Sequence, residues 1–224
     1  MNEKRKEPLI LDGQKLSWHK ERVDAWIKGE RIAPITVDCS LTRRCNLKCT
    51  YCYSPLQEND EKEMTKDVIF KFLDDAAEIG VKGVSFMSDG ESTCSPHFYD
   101  AIIHGKNNGL DMAVATNGVV LKKERLEDIL PCLTWFRLNI SAGTSKKYAE
   151  IHGCKEKDFY KIVDIIKESS KIKKEKGLDV TIGMQMVLLP DFKDEIIPLT
   201  KLGKELNADY LVIKHCSDDE KGSL

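Results

Sequence analysis

From residue 35 onward, short apolar runs with strand character alternate with amphipathic stretches of helical period. The runs are Ile35–Leu41, Gly83–Met87, Met112–Thr116, Trp135–Ser141, Val180–Leu189 and Tyr210–Cys216. The stretches between them are well punctuated. Thr65 precedes Val68, Ile69, Phe72, Leu73 and Ala76, and Gly80 is the stop. Ser95-Pro96 reads as an N-cap followed by a first-turn proline, and Gly109 closes that helix. Leu121–Leu130 ends at Pro131, Phe159–Lys176 ends at Gly177, and Glu195–Leu206 carries Pro198 near its first turn. Strands alternating with helices predict right-handed crossovers and a parallel sheet. Six such units are too few to close an eight-stranded barrel, which leaves a partial, open barrel or a doubly wound sheet. In either, chemistry gathers at the carboxyl ends of the strands.

Residues 1–34 read as an N-terminal arm. Ser17 is placed to cap a short helix opening at Trp18, with Val23, Trp26 and Ile27 at helical spacing and Gly29 as its end. These apolar side chains are expected to pack on the main domain, residues 35–216. Residues 217–224 form a tail with no helix or strand signal. That favours a fragment of a longer protein over a complete minimal core.

Composition narrows the function. Hydrophobic residues make up 41% of the 224, enough for a real core. The 35 Lys plus Arg against 37 Asp plus Glu give a net charge of −2, without the basic excess of a nucleic-acid binder. No apolar run approaches the roughly 20 residues of a membrane helix, and the charged first residues have no apolar signal core behind them. A cytoplasmic protein with no nucleic-acid or membrane partner is expected. Eight cysteines are too few for a disulfide scaffold, and in a cytosolic chain clustered cysteines point to metal or redox chemistry.

Three of them, Cys45, Cys49 and Cys52, fall in one loop where the first strand ends. Three thiolates close together suit a soft metal or an iron–sulfur cluster. Fe–S clusters are normally held by four cysteines, and this loop supplies three. A cubane held by three leaves one iron open to a small-molecule ligand, which points to catalysis. Structural zinc needs four closed ligands, so zinc fits less well.

The spacing Cys-x-x-x-Cys-x-x-Cys, with Tyr51 before the last cysteine and a first strand before the loop, resembles the radical S-adenosylmethionine (SAM) superfamily. The resemblance runs from about residue 35 to 216. It implies a partial (β/α)6 open barrel in the α/β class. It also implies that Cys45, Cys49 and Cys52 hold a 4Fe–4S cluster whose fourth iron is chelated by the methionyl end of SAM. In that family, reduction of the cluster cleaves SAM and a 5′-deoxyadenosyl radical abstracts hydrogen from substrate.

Further segments resemble the family's SAM contacts at successive strand ends. Ser88-Asp89-Gly90-Glu91 is similar to a Gly-Gly-Glu turn that meets the methionyl amine, with Asp89 in the first glycine position. Asp tolerates left-handed backbone better than most residues, which preserves the turn. Asp89 is open to either SAM or substrate. Thr116-Asn117-Gly118 resembles a signature at the third strand's end. Arg137, Asn139 and Ser141 share one face of the fourth strand, where Asn139 and Ser141 are implied contacts to the SAM ribose or carboxylate. On the fifth strand, Gly183 is read as making room for the adenosyl group, Gln185 as contacting it, and Leu188 as packing on adenine. Tyr51, beside the last cysteine, completes the implied SAM-binding set. Lys214 hints at an anionic partner. Cys39, Cys94, Cys132 and Cys154 read as incidental thiols. His152 lies in the loop after the fourth strand with no assigned role.

The implied partners are a peptide, sugar or other small-molecule substrate and an electron donor such as flavodoxin or ferredoxin. The competing reading is a non-catalytic iron–sulfur or zinc protein, which needs a fourth protein ligand.

Overall fold

The computed structural model describes residues 14–53, 62–87 and 89–216. The chain divides into two compact units, residues 1–35 and 36–224. In the first, a short 3-10 turn at Gln14–His19 leads into α1, Lys20–Ile27, and Gly29 ends it with φ +81°. Lys20 and Asp24, one turn apart, pair at 2.6 Å. The expected tail at 217–224 lies outside the described residues, as does Ser88.

The second unit holds six strands: β1 Thr36–Cys39, β2 Gly83–Phe86, β3 Asp111–Thr116, β4 Leu133–Asn139, β5 Thr181–Leu188 and β6 Tyr210–His215. All pair in parallel, in the order β1-β2-β3-β4-β5-β6. A doubly wound sheet reverses its order at a switch point. This sheet never does, so the open barrel is the architecture present. The crossovers carry α2 Lys66–Glu78, α3 Phe98–Asn107, α4 Leu126–Ile129, α5 Ser145–His152, α6 Glu156–Lys176 and α7 Ile196–Glu205.

The sheet has two unlike faces. Val84, Phe86, Met112, Val114, Phe136, Leu138, Ile182, Met184 and Met186 line the helix-facing side, all buried. Ile69 and Leu73 of α2, Ile102 of α3 and Ile162 of α6 complete that layer. Burying each such side chain contributes about 2 kcal/mol. Two glycines let helix backbones approach it: a Cβ at Gly105 would overlap the Met112 sulfur, and one at Gly203 would stand 3.3 Å from the Met184 sulfur. The opposite, inner face carries Ser85, Ala113, Ala115, Arg137, Asn139, Gly183, Gln185 and Tyr210. Asp38 and Ser85, paired in register, hydrogen-bond across it.

Several boundaries move from their predicted places. The third helix begins at Phe98, after His97; Ser95 Oγ accepts from the His97 N–H at 3.3 Å in a turn that precedes the helix. Leu121–Leu130 holds only the four-residue α4, entered by a 3-10 turn at Lys123–Arg125 and followed by another at Leu130–Cys132, where Pro131 stops an α-helix from extending. The loop expected after β4 contains α5, ended by Gly153 at φ +58°. Its pattern, with three lysines or glutamates among eight residues, carried too little apolar period to show as a helix.

Candidate functional site

The cysteine loop follows β1 and is anchored through its main chain. Arg43 N–H donates to Lys62 O at 3.0 Å, and Met64 N–H to Leu41 O at 3.1 Å, which braces the segment returning toward α2. Lys48 N–H donates to His152 O at 3.2 Å and Thr50 N–H to Ile151 O at 2.8 Å, so the loop rests on the carboxyl end of α5. Gly153 makes this approach possible. A Cβ there would overlap Lys48 O and stand 3.0 Å from the Lys48 carbonyl carbon.

Cys45 and Cys52 are exposed and Cys49 is half-buried. The Cys45 sulfur accepts from the Leu47 N–H at 3.5 Å. Burial first, and the nearby Cys45 sulfur after it, push the Cys49 thiol up to about 12. Burial also raises Cys45, with Glu91 and Cys52 adding to the effect. Three thiolates that repel one another in a partly dry loop are disfavoured until cationic iron neutralises them. This donor set therefore fits a thiolate-bound cluster. Among the described residues, no three His, Cys, Asp or Glu side chains already stand in metal-binding geometry.

The turn at Asp89-Gly90-Glu91 docks on the same loop. Glu91 N–H donates to Arg44 O at 2.8 Å, and Ser40 Oγ donates to Asp89 O at 2.5 Å. The left-handed residue is Gly90, at φ +66°; among the described residues Asn207 alone is a non-glycine with positive φ. Asp89 thus stands outside the left-handed region, and its tolerance of that region has no part in the turn. A Cβ at Gly90 would overlap Thr42 O and lie 2.7 Å from the Arg43 carbonyl carbon. Gly90 is needed for both φ and close backbone approach.

Glu91 is buried, and its carboxylate is well supplied with protein donors. Oε1 accepts from Thr93 N–H at 3.1 Å, Thr93 Oγ1 at 2.7 Å and Thr116 Oγ1 at 2.7 Å, and Oε2 from Asn117 N–H at 2.7 Å. Asn117 Nδ2 donates to Asn46 Oδ1 at 2.9 Å, and its Oδ1 accepts from Val119 N–H at 3.0 Å. Glu91, Thr116 and Asn117 therefore come together as one network that ties β2, β3 and the cysteine loop.

On the inner face of β4 and β5, Gln185 Nε2 donates to Asn139 Oδ1 at 3.1 Å. Ser141 Oγ accepts from Val187 N–H at 3.2 Å and lies 3.4 Å from the Tyr51 hydroxyl. Gln185 Oε1 and Arg137 Nε are buried without a hydrogen-bond partner, the two such side-chain atoms among the described strand residues. β4 pairs on both sides, so its polar face belongs to a central strand. The space over Gly183, read as room for an adenosyl group, is filled instead: a Cβ there would overlap the Tyr210 ring and lie 2.5 Å from its hydroxyl oxygen. Burial raises the pKa of the Tyr210 phenol and the nearby Arg137 charge opposes that rise; Arg137 also stacks over Trp135 at 5.0 Å. Lys214 extends from the same face of β6; burial and the Arg137 charge both lower its pKa. Leu188 ends β5, half-buried and in register with His215.

Sequence reasoning left two participants without a role. His152 is fully buried, with Nδ1 3.1 Å from Cys49 Sγ and Nε2 accepting from Ser141 N–H at 3.2 Å. Burial lowers its pKa to about 3, so the ring is neutral. Glu195 accepts from Gly143 N–H at 2.9 Å and Thr144 N–H at 3.0 Å, fixing the turn between β4 and α5. No local pattern announces either contact, because each joins residues about 50 or 100 apart.

An open parallel barrel bearing three thiols at the end of its first strand defines a class of cluster-binding proteins. The chain belongs to the Radical SAM superfamily, whose family model matches residues 39–202. Members of this family use a 4Fe–4S cluster and SAM. The chain is 31% identical over 179 residues to a probable GTP 3′,8-cyclase of Pyrococcus horikoshii, covering 78% of this chain and 54% of that one. It is 37% identical over 97 residues to the PqqA peptide cyclase of Bradyrhizobium diazoefficiens, covering 43% of this chain and 25% of that one. SuiB of Streptococcus suis, solved bound to precursor peptide SuiA, superposes with a TM-score of 0.71 at 19% identity, covering 94% of this chain and 47% of that one. The chain spans about half the length, or less, of these relatives. Among the described residues, no helix is long and apolar enough to cross a membrane.

Proposed function

We propose that this chain is the SAM-cleaving core of a radical SAM enzyme, with Cys45, Cys49 and Cys52 as the ligands of one 4Fe–4S cluster. The observation that carries this reading is the three-thiol loop seated by main-chain hydrogen bonds at the carboxyl end of the parallel sheet. When bound, the cluster and SAM supply a 5′-deoxyadenosyl radical that removes a hydrogen atom from substrate. The residues of this chain bind, orient and shield. Gly90 holds the Asp89–Glu91 turn against the cysteine loop, and in this reading the turn meets the methionyl amine of SAM with its acceptors. Gln185 Oε1 and Arg137 Nε offer an acceptor and a donor with no protein partner, and SAM or substrate satisfies them. Asn139, Ser141 and Tyr51 border that position; Leu188 falls on the helix-facing side of β5 by strand alternation, which takes it out of the inner-face set.

The proposed substrates are a peptide or a small molecule. The relatives' names include a peptide cyclase and a GTP cyclase, and SuiB was solved with a precursor peptide. The proposed electron donor is a small redox protein such as flavodoxin or ferredoxin, in a cytoplasmic setting.

The test is anaerobic loading with iron and sulfide, then reduction in the presence of SAM. About four irons per chain and formation of 5′-deoxyadenosine are expected. Replacing all three cysteines by Ala should remove both the cluster absorbance and the product; a triple variant that keeps its iron would overturn the ligand assignment.

A second reading, a closed four-thiol site without catalysis, is favoured by one observation. The Cys94 thiol donates to Asn46 Oδ1 at 3.6 Å, and the Cys45 charge acts on it. Cys94→Ala separates the two. Unchanged iron content and SAM cleavage are expected; loss of the cluster in that variant would favour the closed site.

A further inference from the structure

His152 is the last residue of α5, and its ring is held on every side. Tyr148 lies tilted against it at 4.4 Å between centroids, and Tyr51 meets it edge-on at 5.9 Å. Nε2 accepts from the backbone N–H of Ser141 at 3.2 Å. A main-chain N–H can only donate, so Nε2 carries no proton in this contact. The neutral imidazole then has its one proton on Nδ1. Nδ1 lies 3.1 Å from Cys49 Sγ, and the proton is aimed at sulfur. The same residue's carbonyl accepts from Lys48 N–H at 3.2 Å, so ring and main chain hold one loop together.

We propose that His152 donates a hydrogen bond from Nδ1 to the Cys49 sulfur of the cluster loop and thereby raises the reduction potential of the bound cluster. This rests on the assignment of Cys45, Cys49 and Cys52 as the cluster ligands. Reduction adds negative charge to the cluster and its sulfurs. A donor aimed at a thiolate sulfur stabilises the reduced state more than the oxidised one, and hydrogen bonds to sulfur are among the features that set Fe–S potentials. The Ser141 N–H matters because it keeps the proton off Nε2 and so on the nitrogen that faces the sulfur. His152 is thus a positioning and tuning residue for the metal centre, with no contact to substrate required.

Redox titration of the anaerobically loaded protein, followed by electron paramagnetic resonance, tests this with two variants. His152→Phe keeps an aromatic ring and removes both nitrogens. It should disfavour reduction by about tenfold, a potential about 59 mV more negative for one electron. His152→Asn retains an amide N–H near the Nδ1 position and should restore most of the difference. A fully loaded Phe variant with the wild-type potential would overturn the proposal.

A second measurement needs no variant to fold. Electron–nuclear double resonance on the reduced wild type, grown with heavy-nitrogen histidine, should show a histidine nitrogen coupled to the cluster. A loaded wild-type cluster with no histidine coupling would overturn the role of His152 alone, whereas wild-type protein that takes up no iron would overturn the ligand assignment beneath it.

Discussion

Two corners of the sheet's carboxyl end handle their polar groups in opposite ways. At the β2–β3 corner, the buried Glu91 carboxylate accepts four hydrogen bonds from Thr93, Thr116 and Asn117, and both ends of the Asn117 side chain are engaged. At the β4–β5 corner, Gln185 Oε1 and Arg137 Nε are buried with no partner. A buried polar atom without a partner costs about 1–3 kcal/mol, and a fold tolerates that where something else satisfies the atom. The first corner is therefore closed on protein partners that hold the cysteine loop in place, and the second is the one that receives a ligand under the proposed function. Acidic and amide residues at strand ends look alike in a sequence, yet their neighbours give them different work.

The largest effect expected from this contrast is on stability. Glu91→Ala orphans the buried Thr116 hydroxyl and Asn117 N–H, at about 3 kcal/mol in all. Thermal unfolding of the iron-free protein should show a midpoint roughly 6–12 °C lower. An unchanged midpoint accompanied by weaker SAM binding would make Glu91 a ligand contact and erase the contrast between the corners.

Gly183→Ala comes next, at about 2 kcal/mol, because the added Cβ meets the Tyr210 ring. In a Tyr210→Leu background the same change should cost at least about 1 kcal/mol less, a coupling readable by a double-mutant cycle. Additive costs would mean that Tyr210 does not fill that space.

Gln185→Leu removes the unused Oε1 acceptor together with the one hydrogen bond from Nε2 to Asn139, so it should cost only about 1 kcal/mol of stability. SAM affinity, measured by equilibrium dialysis on the loaded protein, should fall about tenfold, or about 1.4 kcal/mol. Equal affinity in wild type and variant would remove the ligand-receiving role from this corner.

The smallest effect serves as a control away from both corners. Asp158, in the first turn of α6, accepts from Lys155 N–H at 3.3 Å and pairs with Lys161 at 2.8 Å. Burial works against its charged form, but Lys161 and the Lys155 N–H outweigh it and hold the carboxyl below its ordinary value. Its contribution is present above the unfolded carboxyl's pKa and is lost as pH falls through the lower folded value. Asp158→Ala should cost about 1 kcal/mol at neutral pH, less in acid, with SAM affinity untouched.

Much of this was legible in the sequence. Every strand was found within about two residues, because an apolar run between turn signals is a local property. The cysteine loop and its place after β1 were legible for the same reason: ligand spacing is local, and a strand end sets where it sits. The α5 helix was missed, since its eight residues hold too few apolar positions to mark a period. Asp89 was credited with a left-handed turn that Gly90 makes, as residue type suggests tolerance but only the chain path decides φ.

By itself, then, the sequence determined the alternation of strands and helices, the parallel sheet and the three-thiol loop, all consequences of residue type and near-neighbour spacing. The tertiary structure decided which polar groups find protein partners and which are buried without one. It turned Glu91 toward Thr116 and Asn117, laid the Tyr210 ring over Gly183, and brought His152 to Cys49 across 103 positions of chain. The physical reason is that hydrogen bonding and steric exclusion act over a few ångströms. A contact between residues distant in sequence exists only once the packed apolar face has fixed the register of the strands that carry them.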